Sequence, residues 1–158
     1  MVKKYVFGTP IETDAVVKEI KETSWKDDIF QKEGNVFHYL LKTDEIVYGL
    51  GENVRGINKR GWRYVSNCSD NPNHCEHTNS LYGAHNFIMM GDGVSETYGL
   101  FVDTPGTVTF DVGYTDIDRL IIAMENENYK IYLIEGQTYQ DVVREFREMI
   151  GRLSLIDI

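Results

Sequence analysis

The chain has 158 residues, with 16 Lys and Arg against 25 Asp and Glu, for a formal net charge of −9. A chain of that length supports one domain with its own core and needs no disulfide to hold it. The acidic balance repels phosphate backbones and anionic lipid surfaces, so neither nucleic acid nor membrane is expected as a partner, while a neutral ligand is not penalised.

The elements are mostly short strands. Val2–Phe7 alternates loosely and reads as a strand, ended by Gly8-Thr9-Pro10. Residues 14–22 read as a short helix, because Thr13 can cap it and Val16, Val17 and Ile20 share a face. Ile29-Phe30 opens a second strand and residues 36–41 form a third, with Gly34-Asn35 as a hairpin turn between them. His38 sits inside that third run and reads as a structural residue. Residues 46–50 lead into a segment of different character.

That segment extends to Tyr82. It opens on Gly49 and Gly51 and then runs through about thirty polar residues with little apolar periodicity. Trp62, Tyr64 and Tyr82 argue for order, because disordered segments lack aromatic rings. A long ordered polar loop is usually functional. Strands resume at residues 87–90, Thr97–Asp103, 107–112, 120–124 and 129–135. In the third of these Val108, Phe110 and Val112 alternate with Thr107, Thr109 and Asp111, the pattern of a half-buried strand. A helix over Tyr139–Ile150 closes the series. Thr138 is its N-cap, Asp141 completes a near capping box, and Gly151 stops it. The sum is a mainly β chain: an antiparallel two-layer sandwich with a short N-terminal helix and a C-terminal helix.

The loop holds the residues with chemistry. Cys68, His74, Cys75 and His77 are zinc-ligand types, but their spacing matches no usual paired-ligand pattern, so two reduced thiols are expected rather than a metal site. Neither a metal nor a cofactor is expected. Glu52, Asp70 and Asp103 are the loop-proximal carboxylates. Glu52 is expected to accept bonds from backbone N–H groups or from Arg55 or Arg60. Lys59-Arg60 reads as an anion contact or, more commonly, a solvated or ion-paired corner. Asp70, ahead of Asn71-Pro72, reads locally as an Asx-turn residue. No apolar stretch follows the basic N-terminus, so a cytoplasmic location is the default. Trp25, Trp62 and ten tyrosines also suit a free-standing carbohydrate-binding or scaffolding module, and the Cys/His loop leaves a small zinc-binding β protein as a third reading.

An ordered series of short motifs carries a family resemblance. Gly49-Leu50-Gly51-Glu52, Lys59-Arg60-Gly61, Asn67 and Asp70, Leu81-Tyr82, residues 98–105 and Phe110-Asp111-Val112-Gly113 follow one another as in glycoside hydrolase family 31, the α-glucosidase family. The chain resembles that family's N-terminal region alone. The resemblance implies a galactose-mutarotase-like β-sandwich over residues 1–152, ahead of a catalytic (β/α)8 barrel that lies outside this sequence, with residues 153–158 as a truncated or altered linker. It implies that the two catalytic carboxyl groups belong to the barrel and that none is here. It also implies that Asp70 and Asn67 meet an α-glucoside substrate only together with the barrel. The surface that would face the barrel is then expected to be apolar and able to self-associate.

Overall fold

The computed structural model describes residues 1–151. The expected linker at 153–158, like residue 152, lies outside the described residues. Ten strands and one helix are found among the described residues: β1 (Val2–Phe7), β2 (Phe30–Glu33), β3 (Val36–Leu40), β4 (Tyr48–Gly49), β5 (Trp62–Ser66), β6 (Phe87–Gly91), β7 (Thr97–Asp103), β8 (Val108–Val112), β9 (Arg119–Met124), β10 (Tyr129–Gly136) and α1 (Tyr139–Ile150). The strands form two five-stranded sheets, one in the order β1-β10-β7-β6-β4 and the other β2-β3-β9-β8-β5. Every pairing between strands is antiparallel. The sandwich expected from the turn spacing is therefore present.

The two sheets close on one apolar core. Phe37, Val47, Ile88, Val108, Phe110, Val112, Leu120, Ile122 and Ile131 are fully or almost fully buried there. At one end of the core aromatic rings meet edge to face: Trp25 lies 4.8 Å from Tyr5 and 5.0 Å from Phe37 between ring centroids. Such pairs add to what area burial supplies. Trp25 is thus engaged inside the protein rather than presented as a stacking platform.

The first sheet is covered on both faces. In β10 the side chains of Tyr129, Ile131 and Leu133 enter the core between the sheets. The alternate residues Tyr132 and Ile134 belong to a second apolar cluster with Val142 and Met149 of α1. That is why 129–134 reads as a continuous apolar run broken only by Lys130, whose amine reaches Glu12 at 2.9 Å. The capping box starts α1 as the sequence implies. The Asp141 N–H donates to the Thr138 hydroxyl at 3.2 Å and the Asp141 carboxylate accepts from the Thr138 N–H at 3.1 Å. The Thr138 hydroxyl also donates to the Asp141 carboxylate at 2.8 Å, and that bond first, then the Thr138 N–H, holds the carboxyl below its usual range. Phe146 stacks on Phe87 at 3.8 Å between centroids. Val142 seats directly against Gly99, where an added Cβ would lie 2.5 Å from its Cγ1.

The N-terminal helix expected over 14–22 is absent, and that segment is irregular. Tertiary contacts at three places replace it. The Thr13 hydroxyl donates to both oxygens of Asp103, at 2.7 and 2.9 Å, instead of capping a helix. The Val17 and Lys18 N–H groups both donate to the Met149 carbonyl near the end of α1, at 3.0 and 3.2 Å. Glu22 bridges Lys4. Val16 and Ile20 still go inward, against the cluster under α1, but Val17 is exposed. Two β-branched residues in series gave the segment little helical preference to oppose this.

Gly99→Ala is expected to destabilise the fold by about 1–3 kcal/mol, the usual cost of overpacking. Urea unfolding measures it, and Val142→Ala in the same chain should make the pair cost less than the sum of the singles.

Candidate functional site

The polar loop begins at a corner that no ordinary sequence makes. Gly49, Leu50 and Gly51 have φ of 118°, 67° and 71°, three residues in succession at positive φ. A side chain at Gly51 would bring its Cβ within 2.0 Å of the Gly83 carbonyl oxygen. The corner presses onto the returning chain: the Leu50 N–H donates to Phe87 O at 2.9 Å and the Glu52 N–H to Gly83 O at 2.7 Å. The Glu52 carboxylate accepts from the Gly83 N–H at 3.2 Å. This is the backbone contact expected for Glu52, made with neither arginine.

The interior of the loop is not strandless. β5 lies within it, paired with β8 from Trp62↔Val112 to Ser66↔Val108. Arg55 secures the rest. It is 8% exposed. Its guanidinium donates to the carbonyls of Glu76 and Arg63, both at 2.7 Å, and to the Asn79 side-chain oxygen at 3.1 Å. It also lies over the Trp62 and Tyr64 rings, 4.3 and 4.9 Å from their centroids. Lys59 and Arg60 form no anion site and no solvated corner. The Lys59 amine is buried and donates to Asn53 Oδ1 at 2.9 Å and the Gly56 carbonyl at 3.0 Å. Burial first, and then the Arg55 charge, push its pKa below the ordinary 10.5. Arg60 donates to the carbonyls of Lys42, Thr43, Glu45 and Ile117 at 2.6–3.1 Å. Cations placed against carbonyls let a polar loop satisfy its backbone without secondary structure.

On the outer face of β5, Arg63 pairs with Asp111 at 3.0 Å, and Asp111 also accepts from the Thr115 hydroxyl and the Tyr114 and Thr115 N–H groups. Burial alone would raise the Asp111 pKa, but the Thr115 and Arg63 bonds outweigh it and hold the carboxyl below its ordinary 3.8.

At the tip, the outgoing and returning chains are tied at Asn67–Ser80 and at Ser69–Leu81. Asp70 is exposed, and its carboxylate accepts a hydrogen bond from the Tyr82 hydroxyl. That bond is the first cause raising the Tyr82 phenol above its usual pKa of 10.0. The Asx turn falls one residue later, where the Asn71 side chain accepts from the Asn73 N–H at 3.0 Å. The structure does not put Asn67 and Asp70 at one point. Asn67 lines an open cleft with Ser69, Asn71 and Asn73, and the intervening Asp70 is not part of that wall. Of the other two carboxylates, Glu52 is committed to Gly83 and Asp103 to Thr13. Cys68 and Cys75 are free and exposed. Among the described residues no three His, Cys, Asp or Glu side chains converge as a metal site. Nothing local signals the Arg55 clamp beyond a cation near two aromatic residues, or marks Tyr82, twelve residues away, as the partner of Asp70.

The sandwich and its loop match a known domain. Residues 8–111 fit the family model of the glycosyl hydrolase 31 N-terminal galactose mutarotase-like domain. The chain belongs to that family. It is 30% identical over 113 residues to an α-glucosidase of Saccharolobus solfataricus, covering 71% of this chain and 16% of that protein. An α-xylosidase of Lactiplantibacillus pentosus is also 30% identical, over 114 residues, with 71% of this chain and 14% of that protein covered. The chain thus spans about one sixth or less of these relatives. Among solved structures, the cycloalternan-degrading enzyme of Trueperella pyogenes in complex with isomaltose superimposes with a TM-score of 0.72 at 21% identity, over 84% of this chain and 21% of that one. A family 31 dextranase of Flavobacterium johnsoniae complexed with isomaltotriose gives 0.65 at 23%, over 80% and 15%. These two likenesses show the fold.

Two outcomes follow for the loop. Arg55→Ala is expected to cost about 2–3 kcal/mol, because it leaves buried carbonyls without a charged donor. It should also open residues 67–79 to protease, and Arg55→Lys should not restore protection, since an ammonium lacks the planar fork. Asp111→Asn should cost on the order of 1–2 kcal/mol at neutral pH, kept low by the half-exposed Arg63. Because the folded pKa lies below the unfolded one, the stability Asp111 supplies is complete above its ordinary 3.8 and is lost as pH falls through the folded value. Urea midpoints of parent and variant should therefore converge in strong acid.

Proposed function

We propose that this domain works as the N-terminal part of an α-glucosidase-like hydrolase and lends its loop to the rim of the substrate pocket in a catalytic barrel. Residues 1–152 form the sandwich unit in this reading. Asp70 accepts hydrogen bonds from sugar hydroxyls, and Asn67 offers its amide from the same outgoing segment of the loop. The observation that carries the proposal is Asp70 itself. It is an exposed carboxylate on a firmly tied loop, held by one neighbouring hydroxyl that a sugar hydroxyl can replace. An ionised carboxylate is acceptor-only and can hold two hydroxyls, as this task requires. The domain supplies position, not chemistry. A retaining glycosidase needs two carboxyl groups about 5 Å apart across the sugar, and Glu52 and Asp103 are already engaged within their own domain.

The outward stripe of α1 is the surface we assign to the barrel or, without it, to self-association. Val143 and Ile150 are each 38% exposed there. Gln140, Arg144 and Arg147 complete an open groove of about 400 Å³ with Tyr139 and Val143. Two exposed, unpaired cysteines fit a cytoplasmic setting. No helix among the described residues is long and apolar enough to cross a membrane.

The isolated chain is expected not to turn over an aryl α-glucoside. In a version carrying the barrel, Asp70→Ala should lower kcat/KM roughly tenfold to a hundredfold, the equivalent of one charge-assisted bond, with the unfolding midpoint unchanged. Parental kinetics with stability reduced by about 1 kcal/mol would show that Asp70 only staples its loop.

A further inference from the structure

An open sheet has two edges, and an unpaired edge strand is a template for another chain. Most of the edges in this sandwich are closed or too short to pair. Residues 22–23 run along β1, where the Thr23 N–H donates to the Lys4 carbonyl at 2.7 Å. On β5 the Arg63 carbonyl is taken by Arg55, and the Val65 N–H donates to the Asn79 carbonyl at 3.3 Å. The edge strand β4 has only 2 residues. The remaining edge is β2, whose one ladder partner is β3.

That edge is closed by different means. Residues of an antiparallel strand turn their N–H and C=O groups to alternate sides. Phe30 and Lys32 turn theirs outward, because the partners they find lie off the ladder. The Lys32 N–H donates to Asp27 Oδ1 at 3.3 Å, and the Phe30 carbonyl accepts from the Asp28 N–H, also at 3.3 Å. Both bonds are longer than the roughly 2.7–3.2 Å of a good N–H···O bond. The Phe30 N–H and the Lys32 carbonyl face the same way and find no partner among the described residues. Asp27 Oδ1 also accepts from Trp25 Nε1 at 2.8 Å. The Trp25 ring is anchored among Tyr5, Phe7 and Phe37. Residues 25–28 thus form a strap across β2 that is firm at Trp25 and rests on the strand through two long bonds.

The edge beneath the strap fits its own copy. A two-fold axis through Gln31 sets each Phe30 opposite Lys32 of the second copy, so that the outward N–H and C=O groups of both meet. Gln31 then faces Gln31, and Glu33 faces Ile29, so no like charges are opposed. We infer that Asp27 is the guard of this edge and that β2 is a self-pairing surface: with the Asp27 bond released, β2 pairs antiparallel with β2 of a second copy, and the two second sheets join into one. This surface lies apart from α1, which packs on the other sheet.

The test is analytical ultracentrifugation of the 158-residue chain and its variants over a range of concentrations. Asp27→Ala releases one guard in each copy and should dimerise about tenfold or more tightly than the parent. Asp27→Asn keeps an acceptor oxygen and should behave as the parent. Asp27→Ala/Lys32→Pro should lose the gain, because proline removes an N–H that the ladder with β3 does not use. Adding Val143→Glu, on the outward stripe of α1, should leave the gain intact, so association through that helix reads separately. If Asp27→Ala does not fold, Asp27→Gly, which also lacks the acceptor, carries the same comparison. An unchanged dimerisation constant in Asp27→Ala, an equal gain in Asp27→Asn, a gain that survives Lys32→Pro, or a gain abolished by Val143→Glu overturns the inference. Growth beyond the dimer overturns the two-fold pairing.

Discussion

One guanidinium governs the part of this molecule that faces outward. Arg55 reaches back to the carbonyl of Arg63 in β5 and forward to Glu76 and Asn79, and two aromatic rings lie beneath it. A planar cation with five donors can join chain segments that share no ladder, and few other side chains can. Lys59 and Arg60 repeat the device on a smaller scale, each on carbonyls rather than carboxylates. Arg55 and Lys59 are thereby buried within the loop. The loop gains a fixed shape, and the outer surface keeps its acidic excess.

The two sheets of the sandwich have different surroundings. The first has the core on one side and α1 on the other, so β10 is apolar on both faces. The second has the core on one side, and its outer face carries a row of mixed character across Gln31, His38, Ile121, Asp111 and Arg63. The loop leaves β4 at the edge of the first sheet, adds β5 to the edge of the second and returns into β6 of the first. It therefore bridges the layers at one end of the sandwich. Its position is set by both sheets together, which suits a segment that must hold a carboxylate at a defined place.

Much of the fold could be read in the sequence, because its signals are local. The alternation of 107–112, the hairpin at Gly34-Asn35 and the capping box at Thr138 each depend on neighbours within a few residues, and each appears in the structure. Where the deciding partner is remote, local reading fails. Residues 14–22 have a helical spacing, but Asp103 and Met149 claim the groups a helix would have used. Trp62–Ser66 hides in a polar stretch because the strand that completes it lies beyond residue 107. In the site, Asp70 could be singled out by resemblance, but its pairing with Tyr82 and its separation from Asn67 could not. Both depend on how the loop folds back on itself.

The pairing of β1 with β10 has a consequence in time. Phe7 lies opposite Tyr129, so about 120 residues must be made before the first strand finds its neighbour. At a synthesis rate of about 5–20 residues per second, that interval is roughly 6–24 seconds. Throughout it Tyr5 and Phe7 lack the core into which they later fit. A nascent chain of this kind spends seconds with β1 unpaired. Lys3 and Lys4 place charge on that strand, which disfavours its pairing with another chain in the meantime.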